Sequence, residues 1–159
     1  MPTTLKRDSL LSFANSHREE FENVLQRFVE TPTVSVDPGH ADDIRKGVDL
    51  TVATIEGYGG KVEVYKAEKG NPVIHGVFGN DPNRPTVTVY NHIDVQPASK
   101  ETEPWNTEPF TFTRKGDTYY GRGTTDDKGP ALSALFGARA AIEADVPVNI
   151  RFLWEFEEE

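Results

Sequence analysis

Val148-Asn149-Ile150-Arg151-Phe152-Leu153-Trp154, followed at once by Glu155-Phe156-Glu157-Glu158-Glu159, reads as a buried strand that delivers carboxylates to its own carboxyl end. The run is apolar and β-branched enough for a strand covered by other structure. Just upstream, Leu132, Leu135, Phe136 and Ala140 mark a helix after Pro130, whose ring suits a first-turn position. A helix that feeds a buried strand is the repeating step of an α/β sheet. The strand is expected to be an inner one whose far edge is left apolar and open to aggregation.

The rest of the chain repeats the alternation. Phe21, Val24, Leu25 and Phe28 fall at i, i+3, i+4, i+7, which predicts one amphipathic helix over residues 10–29, stopped by Thr31-Pro32-Thr33. Ile44, Val48, Val52 and Ile55 predict a second, ending at Gly57-Tyr58-Gly59-Gly60. Short β-rich runs follow at 61–66, 73–78 and 86–90, the third being the better candidate for burial. Phe110-Thr111-Phe112-Thr113 and Thr118-Tyr119-Tyr120, around Lys115-Gly116-Asp117, predict a hairpin. No repeat, low-complexity segment or linker divides residues 1–159.

Composition narrows the function classes. The net charge is −9, with no Lys/Arg cluster to follow a phosphate backbone, so neither nucleic acid nor an anionic membrane is an expected partner. With no cysteine, disulfides, thiolate ligands and a cysteine nucleophile are excluded. Imidazole and carboxylate remain as the strong metal donors. No apolar run is long enough for a signal peptide or a membrane span, so the expected location is the cytoplasm.

Three segments carry candidate chemistry, each beside a predicted strand end or helix start, where α/β proteins gather reactive groups. His92-Ile93-Asp94 pairs an imidazole with a carboxylate able to fix its tautomer. Taken alone, a loop histidine bonded to its neighbour is the commoner explanation. Gly121-Arg122-Gly123 allows a sharp turn before Asp126-Asp127, whose carboxylates suit a bridge between two cations or, more commonly, helix capping beside a solvated Lys128 ion pair. The terminal glutamates suit a metal ligand next to a proton acceptor, against the ordinary reading of a solvated tail. His17, His40 and His75 read as structural.

Together, Val89-Tyr90-Asn91-His92-Ile93-Asp94-Val95-Gln96-Pro97, Trp105, Pro109-Phe110, Tyr120-Gly121-Arg122-Gly123-Thr124-Thr125-Asp126-Asp127-Lys128-Gly129-Pro130 and Glu157-Glu158-Glu159 resemble the dinuclear zinc exopeptidases. That family includes carnosinase-type dipeptidases, glutamate carboxypeptidases, aminoacylases and acetylornithine deacetylases. The resemblance runs from Thr31 to the last residue. It implies the N-terminal half of a zinc-peptidase α/β/α sandwich with a mixed, mostly parallel sheet, so that residues 1–159 are a partial catalytic domain ending after the Glu-Glu motif. The lid and dimerisation domain, through which the complete protein would form a homodimer, is then absent.

Carried over by position, the resemblance makes His92 a ligand of one zinc, Asp94 its orienting catalytic residue, and Asp126 the carboxylate bridging two Zn2+ ions, with Mn2+ or Co2+ as substitutes. Asp127 would follow across a cis peptide. Glu158 becomes the general base and Glu159 a ligand of the second zinc, with Glu157-Glu158 the alternative register. The implied reaction is amide hydrolysis in a dipeptide or short peptide. Two alternatives stay open: an N-acyl amino acid deacylase, and an inactive chain serving only as a metal-binding or interaction module. The second follows from the ligand count, since each metal is one protein ligand short of a usual catalytic site.

Overall fold

The computed structural model describes residues 6–66 and 68–159. Residues 1–5, part of the stretch read for a targeting signal, lie outside these. In chain order the elements are α1 Arg7–Ser16, α2 Arg18–Val29, α3 Ala41–Gly57, β1 Lys61–Tyr65, β2 Val73–Phe78, β3 Thr86–His92, β4 Thr113–Lys115, β5 Thr118–Tyr120, α4 Lys128–Glu143 and β6 Asn149–Glu155. No helix among the described residues is long and apolar enough to cross a membrane.

The helix expected over 10–29 is two helices, broken at His17 with φ −106° and ψ 8°. Ser16 Oγ donates to Phe13 O at 3.0 Å, and His17 Nδ1 lies 2.9 Å from the same carbonyl. Such local side-chain bonds compete with the helix ladder. Burial does not oppose the break, because α1 buries none of its residues whereas α2 buries Val24, Leu25, Phe28 and Val29. The periodicity of Phe21 to Phe28 therefore belongs to α2 alone.

Four strands form a mixed sheet in the order β1-β2-β6-β3, with β4 and β5 as a separate hairpin. β1 with β2 and β2 with β6 run antiparallel, and only β3 with β6 is parallel. The expectation of a mostly parallel sheet is corrected. The short link from Tyr65 to Val73 suits an antiparallel neighbour, while α4 supplies the longer crossover that a parallel pair needs.

Strand β6 sits between β2 and β3, so its edges are already paired and the open edges belong to β1 and β3. That overturns the expected bare edge at residues 148–154. The third β-rich run is also not the best buried: Val87 is 48% and Tyr90 54% exposed, whereas every second residue of β2 is buried. Among the described residues, β3 has one strand neighbour and one uncovered face.

Helices α2, α3 and α4 all pack on one face of the sheet. Ile74, Phe78, Ile150, Phe152 and Trp154 point into a single core with Leu25, Phe28, Ile55, Leu132 and Leu135. Each such side chain contributes roughly 1.5–3 kcal/mol when fully buried. Tyr65, Tyr90 and Leu153 occupy the other face and stay exposed. The described residues thus form two layers, a mixed sheet with helices on one face.

Candidate metal centre

The parallel pairing of β3 with β6 puts His92 opposite Glu155, so both chains leave the sheet at the same end. Ile93 N donates to Glu155 O at 2.8 Å and extends the pairing past the strands. The turn before α4 comes to the same place. Three segments far apart in sequence therefore meet where strand order and crossover direct them.

His92 is the hub. Its Nε2 lies 3.0 Å from Asp126 Oδ1 and 3.8 Å from Glu158 Oε2. Ligand atoms of His92, Glu158 and Glu159 all fall within 4.8 Å of one another. On the other side of the ring, Nδ1 is 3.2 Å from Asp94 O and 3.5 Å from Asp94 Oδ1. The backbone carbonyl is thus the hydrogen-bond partner and the carboxylate faces the ring from just beyond. Burial pushes the His92 imidazole down, but the hydrogen bond with Asp126 and the charges of Asp94, Asp127 and Asp126 outweigh it and hold its pKa above the ordinary value.

Asp94 is fully buried. Its Oδ2 accepts the Glu159 N–H at 3.0 Å, while Oδ1 has no hydrogen-bond partner among the described residues. A buried carboxylate oxygen left so beside an imidazole suits a site whose charge is balanced by a cation. The hard oxygen and imidazole donors fit a divalent metal ion such as zinc.

The commoner explanations for the acidic segments do not describe this arrangement. Asp127 occupies the N-cap position of α4 but makes no side-chain cap bond. Its Oδ2 instead accepts from Asn91 Nδ2 at 2.8 Å and His92 N at 3.3 Å. The Asp126-Asp127 peptide is cis. Asp126, with a side chain 73% exposed, reaches His92 but lies outside the His92–Glu158–Glu159 cluster.

Nor are the terminal glutamates a solvated tail. Glu155 accepts from Tyr90 Oη, and that hydrogen bond together with burial and nearby negative charge pushes the Tyr90 phenol up to about 12. Glu157 Oε2 accepts from Asn71 N at 2.7 Å, so this carboxylate serves the turn between β1 and β2. Glu158 and Glu159 are the two glutamates with ligand atoms near His92.

Sequence reasoning missed three residues. Lys128, read as a solvated ion-pair partner, is fully buried and donates to Phe28 O and Thr31 O at 2.8 Å each. Burial pushes its ammonium down to about 7 against the pull of Asp94. Thr33 Oγ1 donates to Ile93 O at 2.5 Å, and Asn91 holds Asp127. The small residues Gly123 and Gly129 around Lys128 were the one available signal. A Cβ on Gly123 would stand 2.8 Å from Lys128 Cδ.

Residues 88–159 match the sequence profile of Peptidase family M20/M25/M40. A Cys-Gly metallodipeptidase of Schizosaccharomyces pombe is 39% identical over 96% of this chain and 34% of its own length. A Beta-Ala-His dipeptidase of Rattus norvegicus is 32% identical over the same shares of the two chains. The chain thus spans about a third of the length of these curated relatives. Among solved structures, human carnosine dipeptidase 1 superposes with a TM-score of 0.83 at 31% identity, covering 94% of this chain and 34% of that one. A dipeptidase from Saccharomyces cerevisiae gives 0.86 at 29% identity, covering 95% and 34%. Sequence and fold agree: residues 88–159 carry the profile of Peptidase family M20/M25/M40, and nearly the whole chain is similar to the N-terminal third of metallodipeptidases.

Proposed function

We propose that the whole protein to which these residues belong is a zinc-dependent dipeptidase that hydrolyses the amide bond of a dipeptide or short peptide. The observation that carries this reading is the convergence of His92, Glu158 and Glu159 within 4.8 Å at the carboxyl end of the parallel strand pair. The relatives' names, Cys-Gly and Beta-Ala-His dipeptidase, supply the substrate class. His92 and Asp126 would hold one ion, Asp126 and Glu159 the other, with Asp126 shared. When bound, such ions polarise the scissile carbonyl and acidify water.

The chain's own groups divide the remaining work. Asp94 faces His92 Nδ1 and leaves Nε2 to the metal side. Glu158, about half exposed and 3.8 Å from His92 Nε2, would accept a proton and pass it to the leaving amine. The reading includes a cytosolic location, testable by fractionation, and a homodimer of the whole protein, testable by sedimentation.

A second reading has the ligand count behind it. His92, Asp126 and Glu159 give each of two ions only two protein ligands, against the three usual in a catalytic zinc site. The 159-residue chain by itself would then bind metal without turnover. Zinc titration separates the outcomes: zinc should bind metal-free chain and be lost on His92→Ala. Zinc-loaded whole protein should cleave Cys-Gly or β-Ala-His faster than N-acetyl amino acids. Preference for the N-acetyl substrates would make it a deacylase, and zinc binding that ignores His92→Ala would end the metal assignment.

A further inference from the structure

Lys128 is the largest charged group in the interior, and the hydrolytic reading gives it no task. Its side chain leaves the first residue of α4 and runs inward, fully buried, to the end of α2, where Nζ donates to Phe28 O and Thr31 O at 2.8 Å each. Helix C-termini leave carbonyls without intrahelical partners. Phe28 O already accepts from Thr31 N at 3.3 Å, a turn donor that serves it without any buried charge. An ammonium in the interior is expensive, and an apolar side chain of the same length would fill the volume. Packing alone does not account for it.

The surroundings of the stem indicate what the lysine is for. The turn that carries Asp126 wraps around it: Gly129 N donates to Gly123 O at 3.0 Å, and Gly123 lies against the Lys128 methylenes. At the other end, the segment that Lys128 grips continues to Thr33, whose Oγ1 donates to Ile93 O and whose carbonyl accepts from Val95 N at 3.0 Å. His92 and Asp94 flank Ile93. The tether therefore links the two segments whose ligand atoms must meet.

We propose that Lys128 is a positioning residue, holding the Asp126 turn in register with His92 by tying the start of α4 to the chain that leaves α2. The inference rests on the metal-site reading of His92 and Asp126 but has a consequence that needs no metal. In metal-free protein, the tether sets the place of Asp126 Oδ1 against His92 Nε2.

Lys128→Met, which keeps the length and removes the donors, and Lys128→Gln, which keeps a shorter donor, test it. Nitrogen-resolved NMR of the imidazoles in metal-free chain should show the His92 ring signals displaced in Lys128→Met while His17, His40 and His75 stay in place. Zinc affinity should fall by about tenfold or more, as for other residues that orient ligands, with the folding transition little moved. Lys128→Gln should fall between the two.

Unchanged His92 signals and affinity would overturn the proposal. So would displacement of all four histidines together, or loss of cooperative melting in both variants, since either makes Lys128 a general packing residue. If the unmodified chain binds no zinc yet His92 alone responds to Lys128→Met, the metal reading fails and the positioning role stands.

Discussion

The carboxylate of Asp94 and the backbone N–H of Glu159 are joined by a 3.0 Å hydrogen bond across 65 residues of sequence. One oxygen of a fully buried side chain thus anchors the run that follows β6. The other faces His92 Nδ1 at 3.5 Å. The same residue fixes where the glutamates arrive and which side of the imidazole looks toward them.

Asp94→Asn keeps the volume and an oxygen able to accept from Glu159 N, but removes the charge beside the ring. Zinc affinity is expected to fall by roughly 10–100-fold, as for other groups that orient metal-bound histidines. Calorimetry or competition with a chelator reads this directly. An affinity equal to that of the unmodified chain would deny Asp94 its orienting role.

Glu158→Gln and Glu159→Gln should separate base from ligand. Glu159→Gln is expected to lose one equivalent of zinc. Glu158→Gln should keep the metal while slowing dipeptide turnover by the whole protein about 10²–10⁴-fold, the range for removal of a general base. Metal analysis beside a turnover assay is sufficient. Loss of zinc on Glu158→Gln, with Glu159→Gln silent in both assays, would instead move the register by one residue to Glu157-Glu158.

Much of this was legible in the sequence, for identifiable reasons. The helices α2, α3 and α4 bury continuous apolar faces, so their periodicity is strong. The meeting of His92 with Glu158 and Glu159 followed from two strand ends pointing the same way. What was not legible depended on pairing partners: β3 reads as well buried until its place at an open edge is known, and residues 10–29 read as one helix because the break at His17 is made by hydrogen bonds to Phe13 O. Lys128 was misread because a lysine beside two aspartates looks solvated. Only the fold shows that helix-end carbonyls surround it.

Stability should weaken in acid through Glu22. This residue of α2 receives Arg18 Nε at 2.9 Å, Arg114 at 3.0 Å and Tyr119 Oη at 2.7 Å, tying α2 to the β4–β5 hairpin. Burial alone would raise its pKa. The bonds from Arg18 and Tyr119 and the charges of Arg114 and Arg18 outweigh burial and hold it below the ordinary 4.5. A depressed carboxylate contributes stability that is fully present above the unfolded-state pKa and lost as pH falls through the folded-state value. Glu22→Gln should therefore cost ~1 kcal/mol at neutral pH. The gap from the unmodified chain should close below pH 4.5. Urea melts at pH 7 and pH 3 measure both ends, and a gap that persists in acid would assign Glu22 a role other than its charge.

Two glycines of α4 should respond to alanine in opposite directions. At Gly129 a Cβ would stand 2.0 Å from Thr124 O, a backbone atom in the turn that carries Asp126. Neither side can yield without moving the turn, so Gly129→Ala should destabilise by roughly 1–3 kcal/mol, the usual range for overpacking, and weaken zinc binding with it. At Gly137, its chain neighbours and its own helix backbone aside, nothing among the described residues lies within 4 Å of the added atom. Gly137→Ala should then stabilise by about 0.5–1 kcal/mol through helix propensity alone, with zinc affinity unchanged. Thermal melts with and without zinc compare the pair. If Gly129→Ala is tolerated as well as Gly137→Ala, the turn is free to shift, and its close fit around the Lys128 stem does not hold Asp126 in place.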